Sequence, residues 1–120
     1  MDKITNSYKD LIVWQKSMEL VVLIYKFTEN LPVNERFGLV SQMRRASVSI
    51  PSNIAEGRRR DTRRDYRQFL IISRSSGAEL ETQLEISSML NFGPPDKRKV
   101  AEELLNEVMR ILSKMINNLH

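Results

Sequence analysis

Cysteine is absent from this 120-residue chain, and its one histidine is the last residue, His120. Disulfides, thiolate metal sites and cysteine nucleophiles are therefore excluded. A histidine-based metal centre or a Ser-His catalytic pair would need histidines elsewhere in the chain. Glycine and proline number four each, and aromatic residues make up 7%. No Asn-Gly or Asp-Gly hairpin signal and no sustained period-2 alternation occurs. The longest apolar run, Leu20 to Tyr25, is far too short to span a bilayer. Met1 to Lys9 is polar and lacks the apolar core of a signal peptide. These features predict a cytoplasmic protein of one domain spanning 1–120.

What is present is arginine, concentrated in one place. Arg44, Arg45, Arg58, Arg59, Arg60, Arg63, Arg64 and Arg67 fall in a window without lysine. Only Glu56, Asp61 and Asp65 oppose them there, so the window carries +5 while the whole chain carries +4. The basic excess is confined to this segment. Guanidinium forks pair bidentately with phosphate or carboxylate. The cluster points to a polyanion, nucleic acid first. Its alternative is a solvated charged face.

Apolar residues recur at helical spacing in four segments. The first, about 8–29, has the stripe Leu11, Trp14, Met18, Val21 and Tyr25. The second, about 35–57, has Phe37, Val40, Met43, Ser47, Ile50 and Ile54, with Asn34 as expected N-cap. The third, about 61–91, has Tyr66, Phe69, Leu70, Ser73, Gly77, Leu80, Leu84 and Leu90, with Asp61 as expected cap. The fourth, about 96–118, has Val100, Leu104, Val108, Ile111, Met115 and Leu119. Short connections favour antiparallel neighbours, so the expected fold is an all-α, antiparallel up-down four-helix bundle. Pro51 lies within the second pattern and predicts a kink near Ser47–Pro51. Serines 47, 49 and 52 are candidates to satisfy the backbone groups it frees.

The fourth segment also carries Ala101, Leu105, Met109, Leu112 and Ile116, and the first adds Leu20, Val22 and Ile24. A face this wide needs a second partner, which predicts self-association. The alternative is a core reached by both flanks of a broad stripe. Tyr66 and Phe69 fall on the apolar stripe, so their rings are expected in the core and nucleic-acid contact should be mainly to phosphate. Structured RNA suits that mode.

No catalytic constellation emerges. Ser49 to Gly57 concentrates Ser, Asn and Glu, but no base accompanies the serines. A kinked helix with a buried polar network around Asn53 and Glu56 is the expected reading. Glu79, Glu81 and Glu85 lack the histidines of a di-iron site. Glu79 or Glu81 could instead pair with Arg44 or Arg45 of another subunit. Lys97-Arg98-Lys99 opens the fourth segment, the unfavourable helix end for cations, and reads as a solvent-exposed turn.

Four ordered motifs carry a resemblance. They are Tyr8-Lys9-Asp10-Leu11 with Val13-Trp14-Gln15-Lys16; Gln42-Met43-Arg44-Arg45-Ala46; Ser49-Ile50-Pro51-Ser52-Asn53-Ile54-Ala55-Glu56-Gly57; and Glu79-Leu80-Glu81-Thr82. Together they resemble the family of the protein encoded in intervening sequences of bacterial 23S ribosomal RNA genes. That family is more distantly similar to the accessory variability protein of diversity-generating retroelements. The resemblance implies a four-helix bundle, a homopentamer with a basic surface, and, by the retroelement analogy, a reverse transcriptase and RNA as partners. The resulting expectation is a non-enzymatic RNA-binding homo-oligomer without cofactor or metal, using the eight arginines named above. The alternative is an interaction scaffold whose arginines engage an acidic partner or a subunit interface.

Overall fold

The computed structural model describes residues 7–119. It contains α1 (Ile12–Thr28), α2 (Leu39–Arg58), α3 (Arg63–Met89) and α4 (Pro95–Asn118), with 3-10 turns at Tyr8–Asp10 and Val33–Glu35. No strand occurs among the described residues. The helices pack in ring order, α1 on α2, α2 on α3, α3 on α4 and α4 on α1. The overall extents are 49 × 24 × 23 Å.

Cross-helix contacts run in opposite senses along each pair, so the neighbours are antiparallel. Arg63, Arg67 and Arg74 of α3 meet Asn118, Ile116 and Ser113 of α4 in that order. Ser73, Ser76 and Ser87 of α3 meet Ile50, Ser49 and Met43 of α2. On α1 and α4, Lys16 pairs with Glu107 at 3.0 Å, while Phe27 lies against Gly93.

Two expected caps are corrected. Thr62, not Asp61, caps α3, its hydroxyl accepting from the Asp65 backbone N–H at 3.1 Å. Asn34 lies in the second 3-10 turn. α2 begins only after Gly38, where the Glu35 carboxylate accepts from the Leu39 N–H. The first turn after Pro32 tightens to 3-10 geometry instead of opening the long helix. The last connection is made by Asn91 and Gly93 at positive φ, followed by Pro94 as N-cap and Pro95 as first helical residue.

The core faces also differ from expectation. On α1, Val13, Leu20, Ile24 and Phe27 are buried with Ser17 and Thr28. Met18 and Tyr25, from the expected stripe, are about 40% exposed, at 41% and 40%. Helix α1 therefore has two apolar faces, and periodicity alone cannot say which one enters the bundle. On α4, Ala101, Leu105, Leu112 and Ile116 join Val108 in the core, while Leu104, Ile111 and Met115 are half-buried flanks and Val100 is exposed. The broad α4 face is thus largely absorbed by its own bundle. Phe37 and Leu90, expected in the core, are exposed because they fall in the connections outside α2 and α3.

α2 and α3 form the most extensive contact. Small residues make it possible. Gly57 brings α2 so near α3 that an added Cβ would lie 2.7 Å from Phe69 Cβ. Buried serines fill the seam and satisfy themselves locally. Ser73 donates to the Ile50 carbonyl at 2.9 Å, and Ser49 and Ser76 share a 2.8 Å hydrogen bond.

α2 continues unbroken through Pro51, which is buried. Side-chain donors gather on the carbonyls beside it: Ser52 on Val48, Asn53 on Ser49, Ser73 on Ile50. The polar network expected around Asn53 and Glu56 includes Asn53 but not Glu56. The Glu56 side chain is exposed and forms an ion pair with Arg60 at 2.6 Å.

Gly57→Ala should lower stability by about 1–2 kcal/mol, because overpacking outweighs the ~1 kcal/mol gained in helix propensity. Thermal or urea unfolding reads this directly. A stabilised variant would show that α2 and α3 can separate without loss.

Candidate nucleic-acid interface

The antiparallel arrangement brings the α2–α3 turn, the start of α1 and the end of α4 to one end of the bundle. Six of the eight arginines, from Arg58 to Arg67, lie on or beside that turn. Arg44 and Arg45 do not join them. They sit fourteen and thirteen residues before Arg58 on α2, about 20 Å away along the helix axis. The single patch suggested by the linear window is therefore two separate groups.

The arginines are also engaged differently. Arg44 is half-buried and ties α2 to α1. Its Nε donates to Thr28 Oγ1 at 2.9 Å, and its guanidinium lies 4.5 Å from the Tyr25 ring centroid. Arg63 and Arg67 donate to the carbonyls of Asn118 and Ile116, each at 3.1 Å. These carbonyls belong to the last turn of α4, which has no basic residue of its own there. Two cations from α3 thus satisfy the negative end of the α4 dipole. Arg60 pairs with Glu56 and covers the Phe69 ring at 4.7 Å. It precedes α3 and so does not share a helical face with the arginines that follow. Instead Arg63, Arg67 and Arg74 share the side facing α4. Arg58 lies over Tyr66, and Arg59 over Tyr8. Arg45 and Arg64 are exposed and make no hydrogen bond or ion pair with a described residue.

Tyr66 and Phe69 are half-buried, so neither ring lies in the buried core expected for it; Tyr66 packs against that core and Phe69 lies against Gly57. Burial raises the Tyr66 phenol above its ordinary 10.0, with the Arg58 charge acting in the opposite sense. The folded chain holds this proton more tightly than the unfolded chain does. The associated stability is intact below pH 10.0 and is lost as pH climbs through the raised value.

Cations that the linear window misses line an adjoining groove of about 710 Å³ on α4. Arg110 and Lys114 form its charged wall, with Ser113, Asn117 and Asn118 beside them. Their i, i+4 spacing on the polar side of α4 is the only trace of this in the sequence, since the acids of α4 nearly balance its cations. At the other end, Arg98 lies 3.6 Å from the Glu102 carboxylate. Among the described residues no group of acids and histidines could hold a metal ion, and no helix is long and apolar enough to cross a membrane.

The fold and its cation-rich end define a small antiparallel four-helix bundle with a basic pole. The chain belongs to the 23S rRNA-intervening sequence protein family, whose model matches residues 9–114. It is also similar to the crystal structure of a protein of unknown function from the S23 ribosomal protein family of Bacteroides thetaiotaomicron VPI-5482. The TM-score is 0.79 at 27% identity, covering 88% of this chain and 98% of that one. A comparison with curated proteins returns no match.

The division of labour among the arginines is testable by stability alone. Arg67→Ala should cost about 1–2 kcal/mol through loss of a charged cap on α4. Arg64→Ala should stay within about 0.5 kcal/mol of the parent. Equal melting temperatures for the two variants would remove the capping role.

Proposed function

We propose that this protein is a non-catalytic, homo-oligomeric RNA-binding bundle that docks structured RNA through its basic pole. The observation that carries the reading is the gathering of Arg58, Arg59, Arg60, Arg63, Arg64 and Arg67 at one end. Arg110 and Lys114 extend this charge along α4. Several of these guanidiniums are held in place by contacts within the chain, which lowers the entropy lost on meeting a phosphate. The main contacts are to phosphate oxygens, so recognition follows backbone shape. Membership of a family named for a ribosomal RNA intervening sequence supports RNA over DNA.

The second apolar face of α1 supports self-association. Met18 and Tyr25 lie on it with half-buried Trp14 and Val21 and with Val22, which is 52% exposed. A further copy of the chain would cover this surface, and the resemblance to retroelement accessory proteins supports a pentamer with a reverse transcriptase as client. The scaffold reading assigns the arginines to intrachain or subunit contacts. Arg44, Arg63 and Arg67 favour it in part, because each already serves the bundle.

Binding to a structured RNA should weaken steeply with salt, and Arg59→Gln with Arg64→Gln should reduce the slope of log K against log salt by about 1.4–1.8. Both side chains are exposed, so fold and oligomer mass should not change. Salt-independent binding, or no binding at low salt, overturns the RNA reading. Light scattering on the same samples should give several times the 14.0 kDa chain mass. A monomer across dilution overturns the oligomer.

A further inference from the structure

Farther along the α2–α3 seam, about 20 Å from the basic pole by helical rise, lies a polar pocket of about 340 Å³. Gln42, Arg45, Ala46 and Ser49 of α2 form one wall, and Glu79 and Gln83 of α3 the other. Arg45 and Glu79 carry opposite charges on opposing walls, yet no ion pair joins them. Gln83 is only 8% exposed, and its buried Oε1 has no hydrogen-bond partner. A buried amide oxygen left unsatisfied is costly, and a folded chain rarely carries one without use. The floor is ordered: Asn53 Nδ2 donates to Ser49 Oγ at 3.0 Å, and Ser49 in turn hydrogen-bonds Ser76. This network fixes the Ser49 hydroxyl before any ligand arrives.

The pocket asks for a ligand that offers acceptors to one wall and donors to the other. On α2, Arg45 supplies a guanidinium fork and Gln42 an amide. On α3, Glu79 supplies a carboxylate and Gln83 the unsatisfied amide. Among the four RNA bases, guanine alone has both a two-acceptor edge and a two-donor edge. Its O6 and N7 match an arginine fork, the commonest specific contact to this base. Its N1–H and N2 amino group match a carboxylate. Adenine would turn an amino donor toward Arg45, and the pyrimidines lack a two-donor edge. No aromatic ring lines the pocket, so the base is read by its edges and not by stacking.

We propose that the α2–α3 pocket accepts an unpaired guanine of the bound RNA, with Arg45 on its acceptor edge and Glu79 on its donor edge. The proposal rests on the RNA reading above and adds base recognition to it. An unpaired base in a loop or bulge is accessible to such a pocket, whereas a base within an A-form helix is not. The basic pole then supplies affinity, and the pocket supplies register.

The test titrates GMP, AMP, CMP and UMP into the full-length protein at one salt concentration, followed by calorimetry. GMP should bind at least about tenfold more tightly than the other three. Glu79→Gln and Arg45→Met should each abolish that preference, with circular dichroism showing an unchanged fold. Arg59→Gln with Arg64→Gln should leave it intact. Equal affinity for all four nucleotides, or no binding by any of them, overturns the pocket assignment. That second result is also the one expected if another copy of the chain covers the pocket. A hairpin RNA carrying one loop guanine, compared with the same hairpin carrying adenine, separates the two claims. Salt-dependent binding without discrimination removes the pocket and keeps the RNA reading. GMP preference without hairpin binding removes the RNA reading and keeps a guanine pocket.

Discussion

The close approach of α2 to α3 is the constraint on which the remainder of the structure depends. Gly57 leaves no room for a side chain at the crossing with Phe69, and serines occupy the seam where larger residues would hold the helices apart. A serine in a helix can return its hydroxyl to a backbone carbonyl, so it removes volume without leaving an orphaned polar group. Here the donors also reach across the seam, as Ser73 does to Ile50. This solves a local difficulty at Pro51, whose ring removes one backbone donor from the middle of a buried helix. The same serines that permit close packing surround the carbonyls next to that defect.

The seam sets what the outer surface can offer. Because α2 and α3 are joined by a short turn at their close end, the arginines on that turn project together at a pole. Farther along, the longer side chains Gln42, Arg45, Glu79 and Gln83 replace the small ones, and the helices leave a polar concavity between them. Arginine therefore has more than one use in this fold. Arg44 is a packing residue, Arg63 and Arg67 are caps for a helix that lacks its own, and Arg59 and Arg64 remain exposed. Guanidinium suits all these tasks because it is planar, weakly hydrated and rich in donors.

The two faces of α1 illustrate how an apolar pattern can be read correctly and oriented wrongly. Trp14, Met18, Val21 and Tyr25 have sound helical spacing, as do Val13, Leu20, Ile24 and Phe27. A helical period identifies a stripe but does not name the neighbour that will cover it. The Trp14 stripe is richer in aromatic residues, yet the Val13 stripe enters the bundle because it meets α2 and α4 together. On α4, by contrast, two expected stripes prove to be the centre and flank of one broad buried face. Surplus apolar surface persists on α1 and has largely disappeared on α4.

From the residues alone came the all-α class, four helices with nearly correct bounds, the antiparallel order, and the exclusion of cysteine and histidine chemistry. These follow from local quantities: spacing, breaks and composition. The caps at Thr62 and Gly38 were not legible, since several polar residues near each helix start could have served. Nor were the roles of individual arginines, because a linear charge count contains no distances. Arg44 and Arg64 are equivalent in such a count, yet one is tied to Thr28 and Tyr25 while the other stands in solvent. The union of Arg110 and Lys114 with the basic pole, and of Arg45 with Glu79 around one pocket, joins residues more than thirty positions apart. Only antiparallel packing brings such residues together, and packing is a property of the helix surfaces meeting, not of any one segment.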